Sequence, residues 1–173
     1  MAQLGPLGKS AAQFDEVKLH WVSAQHLKAM SDAALADAVK PVLNAQVVSS
    51  LDDSRQLRSC GLFKDRCSTL VDLAHWLQVL VEGGQAGRQY VATHVIDEVR
   101  PALAMLTNAF ENCDWSKAGI AAAIKQILGQ SGLKMPQLAM PVRVLVMGTP
   151  QTPSLDAILE LMVREDVIVR LKI

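Results

Sequence analysis

The run MPVRVLVMGTPQTPSL, residues 140–155, decides how this chain folds. By propensity alone, Val142–Val146 is a strand, because three valines and a leucine suit a pleated, half-buried surface. An isolated strand is not stable, however, and no other segment reads as its partner. Either tertiary context overrides propensity here or a partner is hidden. The run then breaks at Gly148-Thr149-Pro150-Gln151-Thr152-Pro153, where Thr152-Pro153 has the pattern of an N-cap with proline at the first helical position of SLDAILELM. Arg143 is the sole charge in the apolar half. A guanidinium there is costly unless its head reaches solvent or a partner. One reading has Arg143 snorkelling into a salt bridge; the other has it presented beside a turn whose amides and hydroxyls could hold an acceptor.

Outward from this run the pattern is helical. Phe14, Val17, Trp21 and Val22 fall at i, i+3, i+7 and i+8, one apolar stripe. Ser31 is a candidate N-cap for DAALADAVKPVL, with Asp32 in the first turn and Pro41 ending the helix. The polar stretch from Asn44 to Cys67 carries one or two short helices interrupted near Gly61. Thr69 with Asp72 three residues on imitates a capping box for the next helix, which Gly83-Gly84 closes. GGQAGRQ is the most linker-like piece. Helix resumes in ATHVIDEVRPALAMLTNAF, where Pro101 is a break or a first-turn residue. Asp114 is read as the cap of WSKAGIAAAIKQIL, with Gly129 as its stop. GQSGLKMPQLAM reads as a loop, and a last short helix runs through EDVIVRL.

Composition supports an all-α chain. Half of the 173 residues are hydrophobic but only 4% are aromatic, and the bias to Leu, Ala and Val favours helices over a sandwich or barrel. Lys plus Arg equals Asp plus Glu at 17 each, which argues against a sequence-blind grip on nucleic acid, though a local basic face remains open. The opening MAQLGPLGKSAAQ reads as a flexible leader, neither signal peptide nor span, and no apolar run is long enough to cross a bilayer.

Catalytic patterns are missing. Cys60, Cys67 and Cys113 lack zinc-site spacing and read as reduced, buried thiols. His20 and His26 point to different sides of one helix, while His75 and His94 are isolated. No G-x-S-x-G elbow occurs, and EGGQAGRQ follows a helix and lacks the Lys-Ser/Thr of a phosphate loop. Nucleic-acid contact is the option with residue-level support: Lys64 and Arg66 flank a turn, and Arg143 adjoins the Thr-Pro bend. Such a surface suits unstacked bases read along their edges. The alternative is a helical protein–protein interaction module without RNA binding.

Taken together, FDEVKLHWVSAQHLK, VKPVL, LFKDRCSTLVDL, DWSKAGIAAAIKQIL and MPVRVLVMGTPQTPSLDAILELMVREDVIVRL resemble, in order, the C-terminal half of bacterial glutamyl-tRNA synthetases. The resemblance covers nearly all of residues 13–171. It implies an all-helical anticodon-binding region: a leader (1–12), a first subdomain (13–82), a linker region (83–97) and a second subdomain (98–173). It makes PVRVLVMG a short helix ending at Gly148. By motif match, Arg66 with Lys64 nearby faces the third anticodon base. Arg143 with the turn of Gln151, Thr152, Pro153 and Leu155 faces the first two. Trp21 and Trp115 match framework positions and are expected in the core. The chain departs from the family at Ser23 and His26, where Asn and Tyr are common, and at Val163, where Gly is usual. It has no His-Ile-Gly-His signature, and GLKMP is not the Lys-Met-Ser-Lys-Ser loop that binds ATP. The resemblance therefore implies a cytoplasmic, monomeric, non-membrane partner of the glutamate tRNA anticodon loop. Such a chain has no cofactor of its own, ATP belonging to an absent catalytic half of the same polypeptide.

Overall fold

The structure, a computed structural model, describes residues 16–86 and 88–172. The leader and Phe14 lie outside these. Among the described residues there are eleven α-helices and no strand, so the all-α expectation holds. The first is α1 (Glu16–Ala29), followed by α2 (Asp32–Val39). Ser31 Oγ accepts from the Ala34 amide at 3.2 Å and starts α2 as expected. Pro41 sits in a single 3-10 turn, Lys40–Val42, that ends it. Asn44 caps α3 (Ala45–Ser50) and Asp52 caps α4 (Asp53–Phe63), each accepting the amide three residues on.

Helix α4 passes through Gly61 without the expected interruption. A Cβ at Gly61 would stand 2.5 Å from Asp32 Oδ2, so this glycine lets α2 and α4 approach rather than breaking a helix. A 3-10 turn, Lys64–Arg66, leads to α5 (Leu70–Glu82), whose capping box is complete: Thr69 Oγ1 accepts from Asp72 N at 3.1 Å, and Asp72 Oδ2 accepts from Thr69 N at 2.9 Å. Thr69→Ala removes the cap and leaves the Asp72 amide unpaired. It should cost about 1 kcal/mol, seen as a fall of roughly 2–4 °C in melting temperature.

After Gly83 come α6 (Arg88–His94), a 3-10 turn at Asp97–Val99, and α7 (Arg100–Asn112) with Pro101 in its first turn. Helix α8 (Lys117–Ser131) is capped by Ser116, whose Oγ accepts from Gly119 N and donates to Asp114 at 2.5 Å. Asp114 therefore orients the cap instead of forming it. The helix runs past Gly129 and stops at Gly132, whose φ of 70° is the left-handed geometry a helix end demands. Helix α9 (Met135–Met147) starts six residues before Pro141. The segment read as a loop is thus helical from Met135, with Pro136 in the first turn and Gln137 Oε1 accepting from the Lys134 amide at 2.8 Å. Val142–Val146 is helical, and Gly148, at φ 72°, closes α9. Last come α10 (Leu155–Leu161) and α11 (Arg164–Leu171).

Helices α2, α4 and α5 pack together, with α3 against α5; α7, α8 and α10 form a second group, with α11 against α7 and α9. One continuous apolar core runs through both, from Leu35, Phe63 and Leu77 to Phe110, Ile120 and Ile158. Helix α4 touches α10 directly. There Arg55 donates from Nε and Nη2 to the Leu161 carbonyl at 3.1 and 2.5 Å, and Arg58 pairs with Glu160. Arg170 in turn donates to the Val81 carbonyl at 2.8 Å. These bonds satisfy carbonyls left open at the ends of α10 and α5.

The tryptophans divide. Trp115 lies edge-on to Phe110 and donates to the Met162 carbonyl at 3.0 Å, as a framework residue should. Trp21 does not: it is 63% exposed, and Val17 and Val22 of the same expected stripe are exposed too. Helix α1 meets the body through the opposite side, where Leu27 is buried and Ser23 Oγ donates to the Ser68 carbonyl at 2.5 Å.

All three cysteines are free, with Cys60 and Cys67 buried. Burial pushes their thiols up to about 11 and about 12. The folded state thus keeps protons that the unfolded chain releases near its ordinary thiol pKa. Their contribution is complete below pH ~8.5 and is lost as pH rises towards 11–12. Native protein should therefore resist aromatic disulfide reagents at pH 8 at both positions, and its melting temperature should fall on going from pH 9 to 11.

Candidate nucleic-acid interface

Helix α9 carries Arg143 on the wall of a cleft of about 420 Å³ between α8, α9 and the start of α10. The walls are Ala121, Ile124, Met135, Ala139, Met140 and Leu155, with Ser154 and Asp156 as polar edges. Arg143 Nε is buried and no acceptor in the protein reaches it. The guanidinium is held below its usual range first by burial and then by the neighbouring charge of Arg66. Arg143 therefore does not snorkel into a salt bridge. It is a desolvated donor on an apolar wall beside a second cation, an arrangement that costs stability unless something completes it.

Arg66 reaches this place from the far side of the sequence. Its Nη2 donates to the Thr152 carbonyl at 3.2 Å, 86 residues on. That bond fixes both the guanidinium and the turn that follows α9. Thr152 and Pro153 are buried and Gln151 is exposed. Thr152 Oγ1 donates to the Pro153 carbonyl at 3.1 Å, so it caps no helix. Ser154 occupies the N-cap position of α10, without a side-chain bond, and Pro153 lies outside the helix. The turn thus buries Thr152 and Pro153 against the body, tied to Arg66, and does not offer Thr152 as an exposed helix cap.

Of the residues singled out from sequence, the fold brings Arg66, Arg143, Thr152 and Leu155 to one edge, with Gln151 and Pro153 on the same turn. Lys64 points elsewhere: its ammonium pairs with Asp32 at 2.7 Å, and that bond raises its pKa. Sequence reading missed Met135, Met140, Ser154 and Asp156. The signal for the two methionines was helical spacing with Arg143, hidden because their segment was read as a loop. Among the described residues no cluster of His, Cys, Asp and Glu could hold a metal ion, and no helix is long and apolar enough to cross a membrane.

Comparison with known proteins sharpens the picture. Residues 34–173 match the family described as the anticodon binding domain. The glutamate–tRNA ligase of Polaromonas sp. (strain JS666 / ATCC BAA-500) is 69% identical over 170 residues, and that of Polaromonas naphthalenivorans (strain CJ2) 66%. Each alignment covers 98% of this chain but 37% of the relative, so the chain spans little more than a third of their length. A solved glutamate tRNA ligase from Elizabethkingia meningosepticum superposes with a TM-score of 0.81 at 22% identity, covering 94% of this chain and 32% of that one. The glutamate-tRNA synthetase of Elizabethkingia anophelis gives 0.71 at 21%, covering 91% and 31%. These two likenesses concern the fold. The sequence match spans both helical groups and every element of the cleft, and by it the chain belongs to the anticodon-binding domain family.

Proposed function

We propose that this chain is the anticodon-reading region of a glutamate–tRNA ligase. It holds the anticodon loop of glutamate tRNA while another part of the same polypeptide, outside this chain, joins glutamate to the tRNA using ATP. The observation that carries this reading is Arg143: a buried, unpartnered Nε on the wall of a mainly apolar cleft edged by Ser154 and Asp156. An unstacked base suits such a place, its faces against Met140, Ile124 and Leu155 and its acceptor edge turned to the guanidinium. Arg66, on the Thr152 carbonyl, stands ready for a neighbouring base, and Gln151 is exposed for a further polar contact. Lys64, tied to Asp32, supplies attraction to the backbone rather than base readout. The family match and the names of the relatives support the same reading.

On this reading the division into a first subdomain (13–82) and a second (98–173) has a purpose, one offering Arg66 and the other Arg143. The region between them is not a bare tether, since it holds α6, and Gly84 donates to the Val146 carbonyl at 3.4 Å. The protein acts as a cytoplasmic monomer and needs no cofactor in this region.

The test is an NMR titration with the anticodon stem-loop of glutamate tRNA and with a scrambled loop. Shifts should gather at Arg66, Arg143 and Thr152 with the cognate loop alone. Arg66→Ala should weaken cognate binding by about 1–2 kcal/mol, since it removes a cation and frees the Thr152 turn. Equal shifts with both loops would reduce the interaction to backbone attraction and remove the proposed base readout.

A further inference from the structure

We propose that the cleft between α3, the start of α4, the end of α5 and α11 is a second ligand site, which binds a small phosphate-bearing anion between Arg55 and Arg170. Its volume is about 340 Å³, at the lower end for small-ligand clefts, and it shares no lining residue with the Arg143 cleft. Among the described residues only two side-chain polar atoms are buried without a partner, Arg143 Nε and Arg170 Nη1. Arg170 Nη2 is spent on the Val81 carbonyl. No ion pair among the described residues includes this guanidinium. Burial holds it below the usual arginine range, and the nearby charge of Asp166 offsets only part of that. A desolvated cation with an open donor costs stability until an acceptor completes it.

Arg55 reaches the same cleft from the first turn of α4. It donates from Nε and Nη2 to the Leu161 carbonyl and from Nη1 to the Ser50 carbonyl. Those bonds fix the guanidinium and still leave N–H groups on Nη1 and Nη2 unused. The acids of the cleft do not answer either cation. Glu82 Oε1 accepts from Asn44 at 3.0 Å and Oε2 from Gln78 at 2.8 Å, so both its oxygens are engaged elsewhere. Asp166 is exposed, one turn before Arg170, and makes no hydrogen bond or ion pair among the described residues. The Ser50 hydroxyl and the Gln46 amide, both exposed on the cleft lining, are likewise unbonded there. Donors thus converge from α3, α4 and α11. A tetrahedral phosphate has oxygens enough to meet groups from three directions, and guanidinium forks grip them in pairs; a carboxylate has only two. Its binding would tie α11, of the second helical group, to α3–α5 of the first.

The experiment titrates this chain with inorganic phosphate against sodium chloride of equal ionic strength, following arginine Nε–H signals by NMR and the melting temperature. Phosphate should move the Arg55 and Arg170 signals saturably. The melting temperature should rise by about 3–5 °C at roughly ten times the dissociation constant. Arg170→Gln should weaken phosphate binding by about tenfold or more. Because that variant also loses the bond to Val81 and its fold is at risk, Asp166→Asn supplies the second reading. It breaks no bond of the fold and takes a negative charge from the cleft, so phosphate should bind about two- to fivefold more tightly. Two sources share this chemistry, an RNA backbone and a free phosphate monoester, and titration with the anticodon stem-loop and with glycerol 3-phosphate separates them. Movement of Arg170 by the stem-loop, reversed by inorganic phosphate, assigns the RNA backbone. Movement by glycerol 3-phosphate alone assigns a free monoester. Unsaturable shifts equal to those in chloride would overturn the proposal, as would unchanged phosphate affinity in Asp166→Asn or an Arg170 signal that neither probe moves.

Discussion

Replacing Arg143 by methionine should weaken binding of the cognate anticodon stem-loop by about 1–3 kcal/mol, roughly five- to a hundredfold or more, while making the free protein more stable. Both signs come from one geometry. The side chain lies on an apolar wall with Met140 and Leu155 nearby, and its Nε is buried with no acceptor. A buried donor left unpaired costs about 1–3 kcal/mol, and Arg66 adds repulsion from the same direction. Methionine fills similar space, keeps the aliphatic contacts and removes both penalties. The melting temperature should therefore rise by about 2–4 °C per kcal/mol recovered. A functional residue that destabilises its own fold gives this opposed pair of effects, whereas a structural arginine gives a loss of stability and no selective loss of binding. Calorimetric melting of the free variant and titration with cognate and scrambled loops decide between them. Unchanged affinity for the cognate loop would remove Arg143 from the site.

How much of this was legible before folding depends on the range of the interaction. Ser31 and Thr69 were readable as caps because the bonds they make span three residues. Pro41 and Pro101 were readable because a missing amide and a fixed φ act locally. The propensity of Val142–Val146 pointed to a strand, and the buried faces of Val142, Val144 and Val146 in α9 show how packing overrode it. At the starts of α8 and α10 the rival caps lay two residues apart, and local pattern does not rank them. Asp114 against Ser116 and Thr152 against Ser154 were settled by which oxygen met an amide and which residue the body buried. Trp21 was placed in the core by the family resemblance, whereas the apolar stripe it belongs to reports only that a face is to be covered, not by what. The site divides the same way. Arg143 stood out as a lone charge in an apolar run, but the bond that sets Arg66 beside it, from Arg66 to the Thr152 carbonyl, spans 86 residues and leaves no local trace.

Gly84→Ala should damage the protein more than any surface change, at about 3 kcal/mol, and should weaken stem-loop binding although residue 84 touches none of the proposed base contacts. A Cβ at Gly84 would stand 1.9 Å from the Met147 carbonyl oxygen, 2.1 Å from its carbon and 2.5 Å from Gly148 N. All three are backbone atoms, so no rotamer change relieves the clash. Either the end of α5 lifts away or the end of α9 moves, and the bond from Gly84 N–H to the Val146 carbonyl is lost. Gly148 cannot absorb the shift freely, since its φ of 72° is what turns the chain out of α9 and its own Cβ position faces Gly84 at 2.9 Å from Cα. The displacement therefore passes into Thr149–Thr152, the turn whose carbonyl holds Arg66. Gly129→Ala is the matched control. That glycine lies inside α8 with nothing within 4 Å of an added Cβ, so alanine should stabilise by about 0.5–1 kcal/mol and leave binding untouched. Melting curves and stem-loop titrations of the two variants check both. If Gly84→Ala lost stability but bound the cognate loop with full affinity under folding conditions, the turn after Gly148 would not position the site, and Arg66 would have to reach its base without the hold of Thr152.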